Sequence, residues 1–374
     1  MGSTIRDLKD LIPIRTTMIN RGTLDGEKVV LGLSGGVDST AAVLLLQEQG
    51  FQVTGYYFDI FGGDTEGKRE AEKVAGELGI EIITEDVNEE FGRIVIRDFC
   101  EKYSIGKTPN PCVICNPNVK FMAMARTADK LGIKNIATGH YANVFHDEDG
   151  LFYICEGKNK KKDQSYMLYR LPQEIISRLI FPLGEIEDKE NIRRLVDKNG
   201  ISNAEKADSL DICFLPNGCT KDEYINELGY DGKPGNFINE NGDVIAPHLG
   251  ITRYTVGQRK GLGIATGERV FITNIDSATG DITLGRESAL YKKKIISSDN
   301  VFVCDLENIK DKSKLTAKIR YGLTKVPVKS VRYIENSMLE TTFADKIKAP
   351  APGQSIVFYS GDMVVGGGII EEGL

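Results

Sequence analysis

One short passage limits the fold of this chain more than any other. Lys28 to Leu33, KVVLGL, is a β-branched, apolar run of the kind that forms a buried strand. It leads through SGGVDS into TAAVLLLQEQG, an apolar helix expected to stop at Gly50, where a left-handed cap costs least. A strand that passes into a helix through Gly35 and Gly36 must turn sharply there. The turn presents backbone N–H groups at the positive end of the helix dipole, a cradle that suits a phosphate group. Strand, anion-binding turn and helix in that order predict the first unit of a parallel α/β sheet.

The pattern continues. FQVTGYYFDI and EIITEDV read as the second and third strands, separated by a helix whose stripe Ala71, Val74, Ala75 and Leu78 ends at Gly79. A helix around Phe91, Ile94, Val95 and Phe99 follows, then GKTPNPCVICNP as a loop, a helix marked by Phe121, Met124, Ala125, Ala128 and Leu131, and the strand KNIATGHYA. Strands alternating with helices at this spacing predict a doubly wound parallel sheet, in which ligands sit at the carboxyl ends of strands. SGGVDS, the end of FQVTGYYFDI and ATGH all fall there. Beyond Ala142 the pattern changes to a hairpin turning at Asp149-Gly150, then two helical stretches, QEIISRLI and KENIRRLVDKNG. From Pro216 onward Gly and Pro are frequent and strands short. VFITNIDSATGDITLG reads as strand, turn, strand, and AKIRYG, VPVKSVRYI, MLETTFA, SIVFYS and MVVGGGII read as a small antiparallel barrel. The expected organisation is an extension over residues 1–26, a catalytic α/β domain over 27–215, a small middle domain over 216–285 and a C-terminal antiparallel β-barrel over 286–374.

Composition sets the compartment and the partners. A chain of 374 residues is too long for one typical core, so more than one domain is expected. Its apolar runs break well short of the roughly 20 residues a bilayer requires, and the first 26 residues hold no continuous apolar block, so no membrane partner and no export signal are expected. Seven cysteines are too few for a disulfide framework in so long a chain. A cytoplasmic, reducing location is expected, with any important cysteine acting through metal or sulfur chemistry. The net charge of −7, taken alone, speaks against nucleic acid, but it is shared unevenly. Residues 283–374 carry 14 Lys or Arg against 11 Asp or Glu, and the first 282 carry 33 against 43. Lys292 to Lys294, Arg320 and Lys158 to Lys162 can therefore supply phosphate contacts while the rest stays acidic.

Several side chains carry chemistry. SGGVDS lacks the Lys of a Walker loop, so transfer of a terminal phosphate is not expected, and Asp38 is a hard oxygen donor suited to Mg2+. Cys112 and Cys115 are bracketed by Pro109, Pro111 and Pro117, and Cys213 and Cys219 follow in DICFLPNGC. Three readings of these thiols are open: zinc held by all four, a persulfide carried by one cysteine and resolved by another, or a three-cysteine iron–sulfur cluster with one open iron. Cys100, Cys155 and Cys304 suit buried apolar positions better. His140, after Thr138-Gly139 at a strand end, is expected close to whatever the glycine turn binds, and His146 and His248 are expected to be surface or structural. Arg259 and Lys260 among Gly257, Gly261 and Gly263 read equally as a phosphate-wrapping loop or as a Gly-rich hairpin.

SGG-x-DS resembles the pyrophosphate loop of the N-type ATP pyrophosphatases, of adenine nucleotide alpha hydrolase-like fold, which split ATP between the α and β phosphates and leave AMP on an acceptor oxygen. Most of the chain resembles the tRNA-specific 2-thiouridylases. The resemblance rests on GLSGGVDS (32–39), TPNPCVICNPNVKF (108–121), ATGHYA (137–142), KDQSYMLYRL (162–171), DICF (211–214), YTVGQRKGLGI (254–264) and KIRYG (318–322). It implies ATP-dependent replacement of O2 by sulfur in a wobble uridine, with ATP and Mg2+ as cofactors. The implied partners are tRNA and a sulfur donor, either a cysteine desulfurase or sulfur relay protein, or inorganic sulfide. By position it implies that Gly32, Leu33, Ser34, Gly35, Gly36, Val37, Asp38, Ser39, Phe58 and Gly139 bind ATP. Cys115 would be the first catalytic cysteine and Cys213 the one that receives the persulfide, with Asp38 acting beside them. Asn110, Pro111, Cys112, Lys162, Asp163, Gln164, Arg320 and Tyr321 would contact tRNA.

The chemistry implied is coherent. A carbonyl oxygen is a poor leaving group, adenylation turns it into AMP while the loop holds pyrophosphate, and a soft sulfur nucleophile attacks C2 of a base drawn out of a loop. The chain departs from the family in carrying Cys112 where most members have Asp. Cys112, Cys115 and Cys213 thus suit a 4Fe–4S cluster that binds hydrosulfide at its unique iron, as well as a persulfide on Cys213. The segment between the second strand and its helix is shorter than usual, and residues 1–26 are added. Two other readings use the same residues: a pyrophosphate-loop sulfurtransferase or synthetase acting on another acceptor, for which no glutamine-amidohydrolase region is evident, and a non-catalytic RNA-binding iron–sulfur carrier.

Overall fold

The computed structural model describes residues 26–205, 212–216, 218–265, 267–309 and 314–374. The expected extension over residues 1–26 lies, apart from Gly26, outside the described residues. The chain forms two compact units that alternate along the sequence. The first comprises the described residues up to 92, 113–210 and 362–364, and the second comprises 93–112, 211–361 and 365–374.

The strands of the first unit are β1 (Lys28–Gly32), β2 (Gln52–Asp59), β3 (Ile82–Asp86), β4 (Asn135–Thr138), β5 (Ala142–His146), β6 (Phe152–Glu156) and β7 (Leu179–Ile180). A parallel sheet runs in the order β3-β2-β1-β4-β7, and β5 and β6 pair as the hairpin expected at Asp149-Gly150. The strand order reverses between β1 and β4, and sheets of this kind hold their ligands in the crevice outside such a reversal.

The helices follow from their sequences. α1 (Val37–Glu48) is buried on nearly every side, which is why it lacks a polar face. Its Ala41, Val43 and Leu45 share one core with Val29 and Leu31 of β1. Gly50, just beyond α1, has φ +87°, in keeping with the expected left-handed stop. α2 (Glu66–Leu78) opens on the Thr65 hydroxyl, which accepts the Lys68 N–H, and buries Ala71, Val74, Ala75 and Leu78 before stopping at left-handed Gly79. α3 (Phe121–Lys130) and α4 (Lys189–Lys198) complete the unit, and Ile192, Leu195 and Val196 of α4 join the core of α1.

Two expectations fail here. GKTPNPCVICNP is not a loop throughout: Pro111–Cys115 is helical and continues through a π turn, Asn116–Lys120, into α3. Pro111 suits a first helical position, where no N–H is needed, and the wider π turn accommodates the amide that Pro117 lacks. Asn118 Nδ2 donates to the Ile114 carbonyl and Asn116 Nδ2 to that of Met167, so side chains supply bonds around the irregular turn. In QEIISRLI only Gln173–Ile176 is helical, because Leu179 and Ile180 add β7 to the edge of β4 instead.

The second unit contains the helices Arg97–Ser104 and Lys221–Glu227, the latter opened by a capping box between Thr220 and Glu223. Strands β8 (Gly235–Ile238), β9 (Val244–His248), β10 (Phe271–Ile275) and β11 (Ile282–Gly285) form a sheet in the order β10-β11-β8-β9 over a core that includes Phe237, Ile251, Ile272 and Leu284. The remaining strands are β12 (Tyr291–Phe302), β13 (Leu315–Lys318), β14 (Val326–Tyr333), β15 (Leu339–Lys348), β16 (Ser355–Ser360) and β17 (Met363–Gly373). They follow one another as β12-β15-β14-β13-β16-β17, and β12 pairs with β17, closing the expected antiparallel barrel. Among the described residues no helix is long and apolar enough to cross a membrane.

Candidate active site

The turn between β1 and α1 is stitched by its own serines. Ser39 Oγ donates to the Gly36 carbonyl at 3.0 Å and accepts the Ser34 N–H at 3.2 Å, and the Ser34 hydroxyl accepts the Gly36 N–H at 3.4 Å. Gly35 has φ +73°, and a Cβ there would lie 3.0 Å from the Ala71 backbone nitrogen. A Cβ on Gly139 would lie 3.0 Å from the carbonyl of Asp38, so the turns after β1 and β4 are backbone against backbone. With Gly32 and Leu33 leading in and Val37 starting the helix, this is a turn of main-chain donors of the kind that suits a phosphate group. Phe58, next to last in β2, packs edge-on to Phe91 at 6.1 Å.

Asp38 is not free to serve as drawn from the sequence. Tyr141 Oη donates to its Oδ1 at 2.8 Å, and Lys189 Nζ donates to its Oδ2 at 2.8 Å. An ammonium stands where a cation on this carboxylate would sit. A Mg2+ ion on Asp38 would require that ammonium to move off the carboxylate. Asn203, on the segment after α4, is also buried here and donates to the Gly35 carbonyl and to Thr40 Oγ1. His140 does not face the turn as a charged group. It is buried between the rings of Phe121 and Phe181, its Nδ1 is 2.7 Å from Thr138 Oγ1, and burial holds its pKa well below the usual histidine range. His146 is exposed and stacked on Phe152, and His248 is buried with Nε2 on the Gly280 carbonyl, the surface and structural roles expected of them.

All seven cysteines stand outside disulfides. Cys112 is exposed and Cys115 buried on one short helix, where positions three apart share a face. Asn110 Oδ1 accepts the Cys112 N–H at 3.1 Å, which fixes the start of that helix. Cys213 is exposed, and its neighbour Phe214 is buried against Phe99 at 5.1 Å and Tyr224 at 5.9 Å. Lys221 Nζ lies 3.8 Å from the centre of the Tyr103 ring in the same aromatic group, and burial pushes its pKa down to about 8. Thiolates are the right donors for an iron–sulfur cluster. Among the described residues, no three or more His, Cys, Asp or Glu side chains converge as metal ligands. Burial pushes the Cys100 thiol up to about 11 and raises that of Cys155 as well, as suits core cysteines.

The implied tRNA contacts divide in two. Arg320 and Tyr321 are exposed after β13, Lys162 and Pro111 are half-buried, and all can meet a large ligand. Asp163 is instead buried, accepting the N–H groups of Gly157 and Ser165 and the Ser165 hydroxyl, so it shapes the turn. Gln164 Oε1 accepts the Tyr141 N–H at 2.9 Å and ties that turn to the strand-end segment carrying Gly139. In the second unit Arg259, Leu262, Ile264 and Arg269 line an open cavity of about 590 Å3, with Gly257, Gly261 and Gly263 all at positive φ. Lys189, Asn203 and Lys221 escaped sequence reasoning: Lys189 was read only as part of a helical stretch, and Asn203 and Lys221 carried no reading at all; Tyr141 lay inside ATGHYA with no role attached.

Residues 27–217 match the family described as tRNA methyl transferase HUP domain, 223–286 that described as tRNA methyl transferase PRC-barrel domain, and 292–370 that described as Aminomethyltransferase beta-barrel domain. The chain is 40% identical over 359 residues to tRNA-specific 2-thiouridylase MnmA 1 of Caldanaerobacter subterraneus subsp. tengcongensis, covering 92% of this chain and 98% of that protein. It is 38% identical over 357 residues to tRNA-specific 2-thiouridylase MnmA of Clostridium acetobutylicum, covering 92% and 99%. It is also 38% identical over 362 residues to the protein of that name in Carboxydothermus hydrogenoformans, covering 93% and 98%.

Proposed function

The chain belongs to the tRNA-specific 2-thiouridylase family, sulfurtransferases that use ATP to make 2-thiouridine in tRNA, and we propose that it does so in two stages on the residues just described. The observation that carries this reading is the serine-stitched glycine turn at the reversal point of the parallel sheet. In the first stage O2 of the wobble uridine attacks the α-phosphorus of ATP. The α–β bond breaks, pyrophosphate departs in the turn, and AMP is left on O2. In the second, the terminal sulfur of a persulfide on Cys213 attacks C2 and AMP leaves with the oxygen; the Cys115 thiolate then attacks Cys213 Sγ, the S–S bond to the base breaks to release 2-thiouridine, and the Cys115–Cys213 disulfide formed is reduced by an external thiol before the next turnover. A divalent metal bound with the nucleotide phosphates would find Asp38 open only after the Lys189 ammonium has left it. Two of the matched families are described by methyl transfer, but a phosphate cradle and reactive thiols serve adenylation and sulfur transfer.

In this reading Asn110, Pro111, Cys112, Lys162, Gln164, Arg320 and Tyr321 meet tRNA, and Asp163 holds the turn that presents two of them. A cysteine desulfurase or relay protein, which carries sulfur at the sulfane level, supplies the persulfide, and inorganic sulfide suits only the cluster reading below. Seven cysteines outside disulfides suit the reducing cytoplasm. Cys112, an exposed third thiol, favours a second reading in which Cys112, Cys115 and Cys213 hold a 4Fe–4S cluster. Such a cluster would supply an open iron for hydrosulfide.

Purified protein, tRNA, ATP and a sulfur source test both readings. Cys115→Ser and Cys213→Ser are each expected to abolish thiolation and to leave ATP binding intact; normal thiolation by both overturns the sulfur-transfer stage. Anaerobic purification followed by an absorption spectrum and iron counting separates the two forms. A colourless, iron-free, fully active protein eliminates the cluster.

A further inference from the structure

The glycine turn has no lysine of its own, so the charge of a bound phosphate would meet only backbone dipoles there. The fold brings a cation in from elsewhere. Lys189 Nζ donates to Asp38 Oδ2 at 2.8 Å, and the lysine side chain is only 12% exposed. Asp38 is the second residue of α1, so the ammonium stands one hydrogen bond from the turn itself.

Its place in the helix is not one that a lysine favours. Lys189 is the first residue of α4, where the helix dipole favours acidic groups, and its head group lies beside the positive end of α1. Helix stability does not account for a lysine placed there. Its surroundings hold it in place: Asp188 caps α4 by accepting the Glu190 N–H, Ile192, Leu195 and Val196 anchor α4 in the α1 core, and Tyr141 holds the other oxygen of Asp38.

We propose that Lys189 is the cation of the pyrophosphate turn, resting on Asp38 while the turn is empty and shifting its hydrogen bond to a phosphate oxygen when ATP or pyrophosphate occupies it. The inference rests on the reading of the turn as the ATP cradle. Breaking the α–β bond gathers negative charge on the departing pyrophosphate, and an ammonium already in place stabilises that charge without rearrangement. Asp38 then acts as the holder of the lysine, and it opposes an unpaired anion in the turn.

Calorimetric binding to the full-length protein tests this, with ATP–Mg2+ as one ligand and metal-free pyrophosphate in EDTA as the other. Lys189→Gln is expected to weaken pyrophosphate binding by about tenfold or more, and Lys189→Arg to restore most of it. Asp38→Asn, which removes that carboxylate's hold on the ammonium, is expected to tighten pyrophosphate binding, and adding Lys189→Gln to it to remove that gain. Thermal midpoints show that each variant is folded. If Asp38→Asn weakens binding or leaves it unchanged, Lys189 only braces Asp38 and the proposal fails. A wild type that binds ATP but no metal-free pyrophosphate also overturns it; one that binds neither overturns the reading of the turn itself.

Discussion

Asn203 Nδ2 donates to the carbonyl oxygen of Gly35 at 2.9 Å, so a residue beyond the end of α4 holds the glycine turn from behind. The same nitrogen reaches Thr40 Oγ1 at 2.8 Å, and the Asn203 Oδ1 is buried without a hydrogen-bond partner. Asn203→Ala leaves the turn carbonyl without this donor. A loss of about 1–3 kcal/mol is expected in urea denaturation, together with weaker ATP binding. Unchanged ATP affinity would show that the brace plays no part in holding the cradle.

Gly139 and Gly76 make a matched pair. A Cβ at Gly139 would press on the Asp38 carbonyl at 3.0 Å, backbone that cannot swing aside, whereas Gly76 is an exposed position in α2 with nothing within 4 Å. Gly139→Ala is expected to cost about 1–3 kcal/mol and to weaken ATP binding. Gly76→Ala is expected to raise stability by about 0.5–1 kcal/mol and leave binding alone. Thermal melts with and without ATP check both.

Phe214 anchors the segment that carries Cys213. Phe214→Ala opens a cavity among Phe99, Tyr224 and their neighbours and is expected to cost about 3–5 kcal/mol. The alkylation rate of Cys213, followed by mass spectrometry below the melting transition, should change with it. Phe214→Leu, which keeps most of the apolar contact, should restore both.

How much of this was legible in the sequence depends on how local each signal is. The sheet of the first unit was, because each of its strands and helices carries its own periodicity and glycine stop, as in Ala71 to Gly79. The closed barrel was legible as alternating runs, but the full length of β12 was not, since Lys292 to Lys294 and Ser297 to Asn300 interrupt its apolar alternation. The helix Pro111–Cys115 was hidden by prolines that usually mark loops, and it forms because one of them stands where an N–H is not needed. The glycine turn was legible as a sharp strand-to-helix turn of main-chain donors. Its lysine was not, because Asp38 and Lys189 lie 151 positions apart and a helical pattern shows which face is apolar, not which partner a charged end will meet.

Lys221 gives a pH signature with a definite sign. Burial holds its pKa at about 8, whereas the unfolded chain keeps the proton to about 10.4. Between those values the unfolded state binds more protons, so wild-type stability gains with rising pH, and below about 8 the cost of the buried charge is fully present. Lys221→Met lacks this contribution. The wild-type stability minus that of the variant should therefore rise from pH 8 to 10, measured by urea denaturation at each pH. A flat difference would mean that the amine titrates alike in both states.

The thiols should react in two classes. With iodoacetamide at pH 8, Cys112 and Cys213 are expected to label in the native protein, and Cys100 and Cys155 only after unfolding, because burial excludes the reagent and raises their thiol pKa values. Peptide mapping over a time course checks the order.

Strand β17 begins in one unit and ends in the other. The Glu156 N–H donates to the Asp362 carbonyl at 2.9 Å and Met363 pairs with Cys155, while residues from 365 on close the barrel against β12. During translation the β5–β6 hairpin therefore waits, one edge bare, until nearly all of the second unit has been made. A ribosome that stops early releases a product with two open seams, one on the hairpin and one in the barrel, and bare strand edges invite aggregation. One strand thus completes both the edge of the hairpin and the wall of the barrel, so the two units share a folding step.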